Sequence, residues 1–237
     1  MNKQHQPPAE RALPPYAIVR SRRKTVAIRI TREAAVEVRA PLHAGAADIA
    51  RIVASKRAWI LGHLQACEQQ ARQRAAFSLH YGDAVMVCGR DCVITAQTSP
   101  RDAFDGRHLY VPPNLAPEQL VNAVVQACKR LARPLFEQKV TNFAAKMGLK
   151  PSAVRVSSAR TRWGSCSAKN SLSFSWRLVM AEDDVIDYVV VHELAHIEQR
   201  NHGEGFWAVV AAEMPDYRQR RAALRTLEKR LACQRWA

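Results

Sequence analysis

The stretch Val185-Ile-Asp-Tyr-Val-Val-Val is too apolar for a water-exposed helix, yet it runs straight into His192-Glu-Leu-Ala-His196. A helix that is apolar on nearly every side is buried, and it carries the polar residues at its end inward with it. Residues four apart share one helix face, so the imidazoles of His192 and His196 reach a common point. Buried imidazoles and a buried carboxylate need partners, because polar groups out of water are costly when unpaired. A metal ion supplies them: zinc takes imidazole nitrogen at about 2.0–2.1 Å in a near-tetrahedral shell. Glu193 stands one step round the helix, placed to meet water on the metal rather than the metal. A carboxylate there serves as general base for water attacking a carbonyl or phosphoryl centre.

Two histidines do not complete such a site. His202 lies ten residues past His192, beyond Arg200-Asn201, where the chain can leave the helix and fold back. The same offset occurs in H-E-x-x-H-x-x-G-x-x-H, but Gln199 occupies the glycine position of that pattern. Glu213 and Asp216 are the carboxylate alternatives; His202 is the favoured third ligand. The expected cofactor is one zinc ion per chain, although three histidines also suit other divalent metals.

Other features bound the function. The chain has 237 residues and is 48% hydrophobic, enough to bury a real core. No apolar run approaches the ~18 residues that span a bilayer, so no membrane span is expected. The N-terminus lacks the apolar region of a secretory signal. Six scattered cysteines fit a reducing cytosol, and a cytoplasmic location is expected. Cys88 and Cys92 read as residues flanking a hairpin tip at Gly89-Arg90-Asp91 rather than as metal ligands. The formal net charge of +15 attracts polyanions: nucleotide, nucleic acid, anionic lipid or acidic protein. It also fits a solvated basic surface.

Periodicity organises the rest. Tyr16–Ser21, Thr25–Ile30 and Ala35–Ala40 read as strands, with Val26, Ile28 and Ile30 alternating against Ala27 and Arg29. Ala46–Arg74 reads as one helix. Residues 79–96 read as a hairpin, with a short strand at 108–111. A long helix is expected from Pro117, kinked at Pro134 and stopped at Gly148. Val154–Ser158 is a strand. Arg162–Ser167 and Leu172–Trp176 form a hairpin turning at Ala168-Lys-Asn-Ser. Asp183 and Asp184 offer N-cap chemistry to the apolar helix. A further helix starts near Gly203, breaks at Pro215 and resumes as a basic segment.

Three motifs in order, Arg162-Trp-Gly-Ser-Cys-Ser167, Val189-Val-Val-His-Glu-Leu-Ala-His196 and Asn201-His-Gly-x-x-Phe-Trp207, resemble the YgjP/SprT-like zinc metallopeptidases, most closely the YgjP-like branch. The resemblance extends more weakly from about 16 to 231. It implies zinc ligands at His192, His196 and His202, a catalytic Glu193 and a small zincin-type domain. One branch of the family is also labelled UTP pyrophosphatase.

The expected fold is α+β: a disordered lead-in over 1–15, a β-rich basic part with one long helix over 16–115, and a zincin-like catalytic domain with the H-E-x-x-H helix over 116–237. The expected function is a zinc-dependent metallohydrolase, foremost a metallopeptidase acting on a protein or peptide. The alternatives are a metal-dependent nucleoside triphosphate pyrophosphatase and a nucleic-acid-associated module with structural zinc. Arg162, Trp163, Ser165, Cys166 and Arg177 are candidate substrate contacts, with core packing as the other reading of Trp163 and Cys166.

Overall fold

The computed structural model describes residues 12–31, 34–98, 103–234 and 236. Most of the expected lead-in, residues 1–11, lies outside the described residues. The chain divides into two compact units, Met1–Ala76 and Phe77–Ala237.

In the first unit, β1 (Tyr16–Ser21), β2 (Ala27–Ile30) and β3 (Val36–Pro41) form a sheet in the order β1-β3-β2. β1 is parallel to β3, and β2 is antiparallel to it. Alternation along β3 sets Val36, Val38 and Ala40 on one face. They join Ile49 and Val53 of α1 (Ala46–Ser55) and Ile60 of α2 (Arg57–Ala76) in a small core. The single helix expected over 46–74 is therefore two, broken at Lys56 with φ −101° and ψ 11°.

The second unit is larger. β4 (Ala84–Val87), β5 (Arg90–Ala96) and β6 (His108–Val111) form one sheet, and β7 (Ala153–Ser157), β8 (Gly164–Cys166) and β9 (Ser171–Ser175) another. The helices are α3 (Pro117–Met147), α4 (Asp183–Glu198), α5 (Glu204–Glu213) and α6 (Tyr217–Ala232). The architecture is mixed α and β, as expected. The compact units divide at 76/77, whereas the sequence suggested 115/116. The reason is packing: Val85, Val87, Ile94, Leu109 and Val111 share one buried core with Leu120 and Val124 of α3.

Three local features position α4. The β4–β5 tip is Cys88-Gly89, both with positive φ (49° and 72°), as a two-residue hairpin turn requires. A Cβ on Gly89 would lie 2.9 Å from Glu182 Cα, so this tip lodges against the start of α4. Cys88 thus occupies the tip itself, and Cys92 is buried on β5. β9 ends at Ser175, and a 3-10 turn over Trp176–Met180 follows in place of the expected strand end. Lys139 of α3 pairs with Asp183 at 2.8 Å and with Asp187, clamping α3 to α4. Glu182, not Asp183 or Asp184, holds the N-cap position. The two aspartates sit in the first turn, where the helix dipole favours negative charge. Pro134 is accommodated inside α3, and Gly148 ends that helix with φ 66°. Among the described residues, no helix is long and apolar enough to cross a membrane.

Candidate metal centre

α4 is buried because Val185, Ile186, Val189, Val190, Val191 and Leu194 are. Each such side chain contributes about 1.5–3 kcal/mol on leaving water. That burial holds the motif in place: His192 and His196 are half-buried, and Glu193 is 5% exposed. The chain leaves the helix at Gln199, with φ −123° and ψ 99°. This is extended backbone open to any residue, so no glycine is required there. The Gly203 N–H then donates to Asn201 O at 2.8 Å, and the turn returns His202 over the helix.

His192 Nε2 and His202 Nε2 stand 3.1 Å apart. Two nitrogens on one tetrahedral zinc ion stand about 3.3 Å apart. His196 Nδ1 lies 3.0 Å from Gln199 O. As an N–H donor to that carbonyl, Nδ1 fixes the tautomer and leaves Nε2 with its lone pair. The ligand atoms of the three histidines lie within 4.8 Å of one another, the one such group among the described residues. The alternatives point elsewhere: Glu213 faces Lys146 at 4.0 Å, and Asp216 pairs with Arg220 at 2.9 Å. Burial, then the neighbouring His196 and His202 and the Arg221 charge, push the His192 imidazole down to about 3. Burial likewise lowers His196. Neutral, converging imidazoles are the form that binds metal, so the donor set fits a divalent ion. Phe206 is fully buried beneath them, its ring centroid 4.8, 4.5 and 4.7 Å from those of His192, His196 and His202. Trp207 stacks on His202 at 5.9 Å and on Tyr217 at 5.2 Å.

The Glu193 carboxyl has no hydrogen bond among the described residues. Burial pushes its pKa up to about 7, against the pull of the Arg162 guanidinium. A bound cation pulls in the same direction as Arg162. Its seat is the backbone of β8: a Cβ on Gly164 would lie 2.5 Å from Glu193 Oε1 and 2.6 Å from its Cγ. Only glycine leaves that space. The sequence candidates passed over Gly164, although a glycine inside a strand signals close approach of another group.

The remaining candidates separate. Arg162 is exposed and electrostatically close to Glu193. Ser165 pairs with Ser173 across β8–β9, and β8 is an edge strand. Trp163 is half-buried against the main core, and its carbonyl accepts the Ser175 N–H at 2.8 Å. The Cys166 thiol is half-buried, with Arg200 Nη1 at 3.4 Å; burial raises its pKa. Arg177 does not stand open to substrate. It is 8% exposed and donates to the carbonyls of Ser158, Ala159 and Trp236, pinning Trp236. Arg200, not singled out from sequence, donates to Ser167 O at 2.8 Å and to Asn170, tying the β8–β9 turn to the end of α4.

Residues 24–227 match the family model described as YgjP-like, metallopeptidase domain. Among solved structures, the chain is similar to the metallopeptidase zymogen of Pyrococcus abyssi abylysin. Identity is 21%, the match covers 38% of this chain and 92% of that one, and the TM-score is 0.36. No curated protein matches.

Proposed function

The chain belongs to the YgjP-like family of metallopeptidase domains, and from that premise we propose a zinc-dependent peptidase in which His192, His196 and His202 hold one ion and Glu193 is the general base. The observation that carries this reading is a buried carboxylate with no hydrogen-bond donor, on the same helix turn as converging histidines. A purely structural site has no use for such a base. When bound, the metal supplies Lewis acidity, polarising the peptide carbonyl and acidifying water.

The protein's own groups do the rest. Glu193 takes the proton of the attacking water and passes it to the departing amine nitrogen. The low-dielectric seat at Gly164 keeps that carboxylate poorly solvated, which favours its accepting a proton. The free edge of β8 offers main-chain groups near Ser165 and Cys166 to an extended peptide. Gln199, through its carbonyl, holds the His196 ring in its ligating orientation. All six cysteines are free, which suits work in a reducing compartment such as the cytoplasm.

The test is hydrolysis by zinc-loaded protein offered unfolded protein and nucleoside triphosphates in parallel, with Glu193→Gln beside the wild type. Peptide cleavage should fall by about 10²–10⁴-fold in the variant while zinc content stays the same. Glu193-dependent pyrophosphate release instead would move the assignment to phosphoanhydride chemistry. Equal activity in both proteins would remove the base from the mechanism.

A further inference from the structure

α6 is strongly basic, and its arginines divide into two groups. Arg218 donates to Tyr217 Oη, Arg220 binds Asp216 and the Asp184 carbonyl, and Arg230 faces Asp91 at 3.7 Å. Arg221 and Arg225 are exposed, and among the described residues neither has a hydrogen bond or carboxylate partner. They are four apart, so they share the helix face that also carries Tyr217.

Arg221 is nevertheless held. Its guanidinium lies 5.3 Å from the centroid of the Trp207 ring. That ring stacks on His202 and lies 6.0 Å from His192. Cation–aromatic contact of this kind orients a guanidinium without neutralising it. The Arg221 charge reaches both His192 and Tyr188, and the Arg225 charge reaches Tyr188. The histidine cluster is thus flanked by an uncompensated, oriented cation on the α6 side.

We propose that Arg221, supported by Arg225, forms an anion subsite beside the metal centre that selects peptides carrying a carboxylate next to the cleaved bond. The carboxylate comes from an acidic side chain or from the chain's own C-terminus. Arg221 presents a planar fork of donors to it, and Trp207 screens one face of that fork from water. The inference rests on the peptidase reading, and it makes Arg221 a specificity-determining residue rather than part of the proton path.

Binding and cleavage are measured separately. The binding probes are acetyl-Ala-Ala-Glu-Ala-amide, the same peptide with Gln for Glu, and the Gln peptide with a free C-terminal carboxylate. They are titrated into zinc-loaded protein while tryptophan fluorescence is followed. At least one charged probe should bind about fivefold more tightly than the neutral amide at low salt, and which one does identifies the source of the charge. Arg221→Gln should bring all three within about twofold, Arg225→Gln should reduce the difference less, and Arg221→Lys should restore part of it. Zinc content and melting temperature should not move. In a cleaved peptide mixture, the enrichment of carboxylates at the cut sites should vanish in Arg221→Gln while cleavage of neutral sites persists. Equal binding of all probes by the wild type overturns the subsite, as does a preference that survives Arg221→Gln. So does a uniform loss of cleavage on every peptide, which would make Arg221 a stabiliser of the reacting oxygen. An Arg221-dependent charge preference in binding, with no Glu193-dependent cleavage of any peptide, would instead sink the peptidase reading and leave the subsite standing.

Discussion

The two units of the chain solve different problems. Residues 1–76 carry 14 Lys and Arg against 5 Asp and Glu, whereas residues 77–237 carry 22 against 16. The first unit gathers its core from a few residues of β3, α1 and α2, and it leaves Ile18, Val19 and Trp59 exposed. The second buries Trp176, Phe136, Phe174 and Phe206 completely in a core that reaches from β4 to α6. Depth of core is what permits a buried carboxylate. A general base out of water needs neighbours that cannot yield, and only the second unit provides them. The first unit is thinly cored and strongly basic.

The sharpest way to break this contrast is at Gly164. Alanine there brings a methyl carbon within 2.5 Å of Glu193 Oε1 and 2.6 Å of its Cγ, so the Glu193 side chain must leave its seat. Gly164→Ala should lower kcat by roughly 100-fold, about 2.7 kcal/mol. Zinc content should hold, because the atoms nearest that Cβ all belong to Glu193 and none to a histidine. Metal analysis beside steady-state kinetics checks both. Unchanged kcat would mean that the seat of Glu193 is soft and that the second unit is less constrained than its packing indicates.

A smaller effect is expected at Lys139, whose side chain is 12% exposed between Asp183 and Asp187. Burial disfavours its charge, but the hydrogen bonds and attraction of Asp183 and Asp187 outweigh that, and its pKa is raised above 10.5. A pKa raised on folding contributes stability that is complete below the unfolded value. That contribution fades as pH climbs through the folded one. Lys139→Met should therefore cost about 1–2 kcal/mol at pH 8, discounted because Asp183 is largely exposed, and the gap from wild type should narrow at a pH high enough to deprotonate Lys139. Urea denaturation at the two pH values reads this directly. In the first unit the corresponding change, Arg51→Ala, removes only an exposed pair with Asp48 and should be silent.

What was legible in the sequence follows the same division of depth. The apolar run before His192, the ten-residue return to His202 and the stop at Gly148 are local patterns, and the elements they imply form as expected. The partners of those elements were not legible. The seat of Glu193 at Gly164 joins residues far apart in the chain, as does the lodging of Gly89 against Glu182. Arg177 reads as a free guanidinium until the carbonyls of Ser158, Ala159 and Trp236 close round it. Gln199 looked like a departure from a glycine-bearing pattern only because the pattern does not state the backbone angle; at φ −123° the side chain is immaterial and the carbonyl does the orienting.

The smallest measurable effect expected, and the only one of opposite sign, lies at Gly62. It sits inside α2, and nothing is within 4 Å of a Cβ built there. Alanine adds no clash, restricts the unfolded chain and favours the helix, so Gly62→Ala should stabilise the first unit by about 0.4–1 kcal/mol. Peptide cleavage should not change. Two glycines, each replaced by the same methyl group, then give opposite results for one physical reason: the space beside Gly164 is occupied by a group that must not move, and the space beside Gly62 is empty. If Gly62→Ala lowered activity or stability instead, something would have to occupy that face of α2. The first unit could then no longer be treated as loosely constrained.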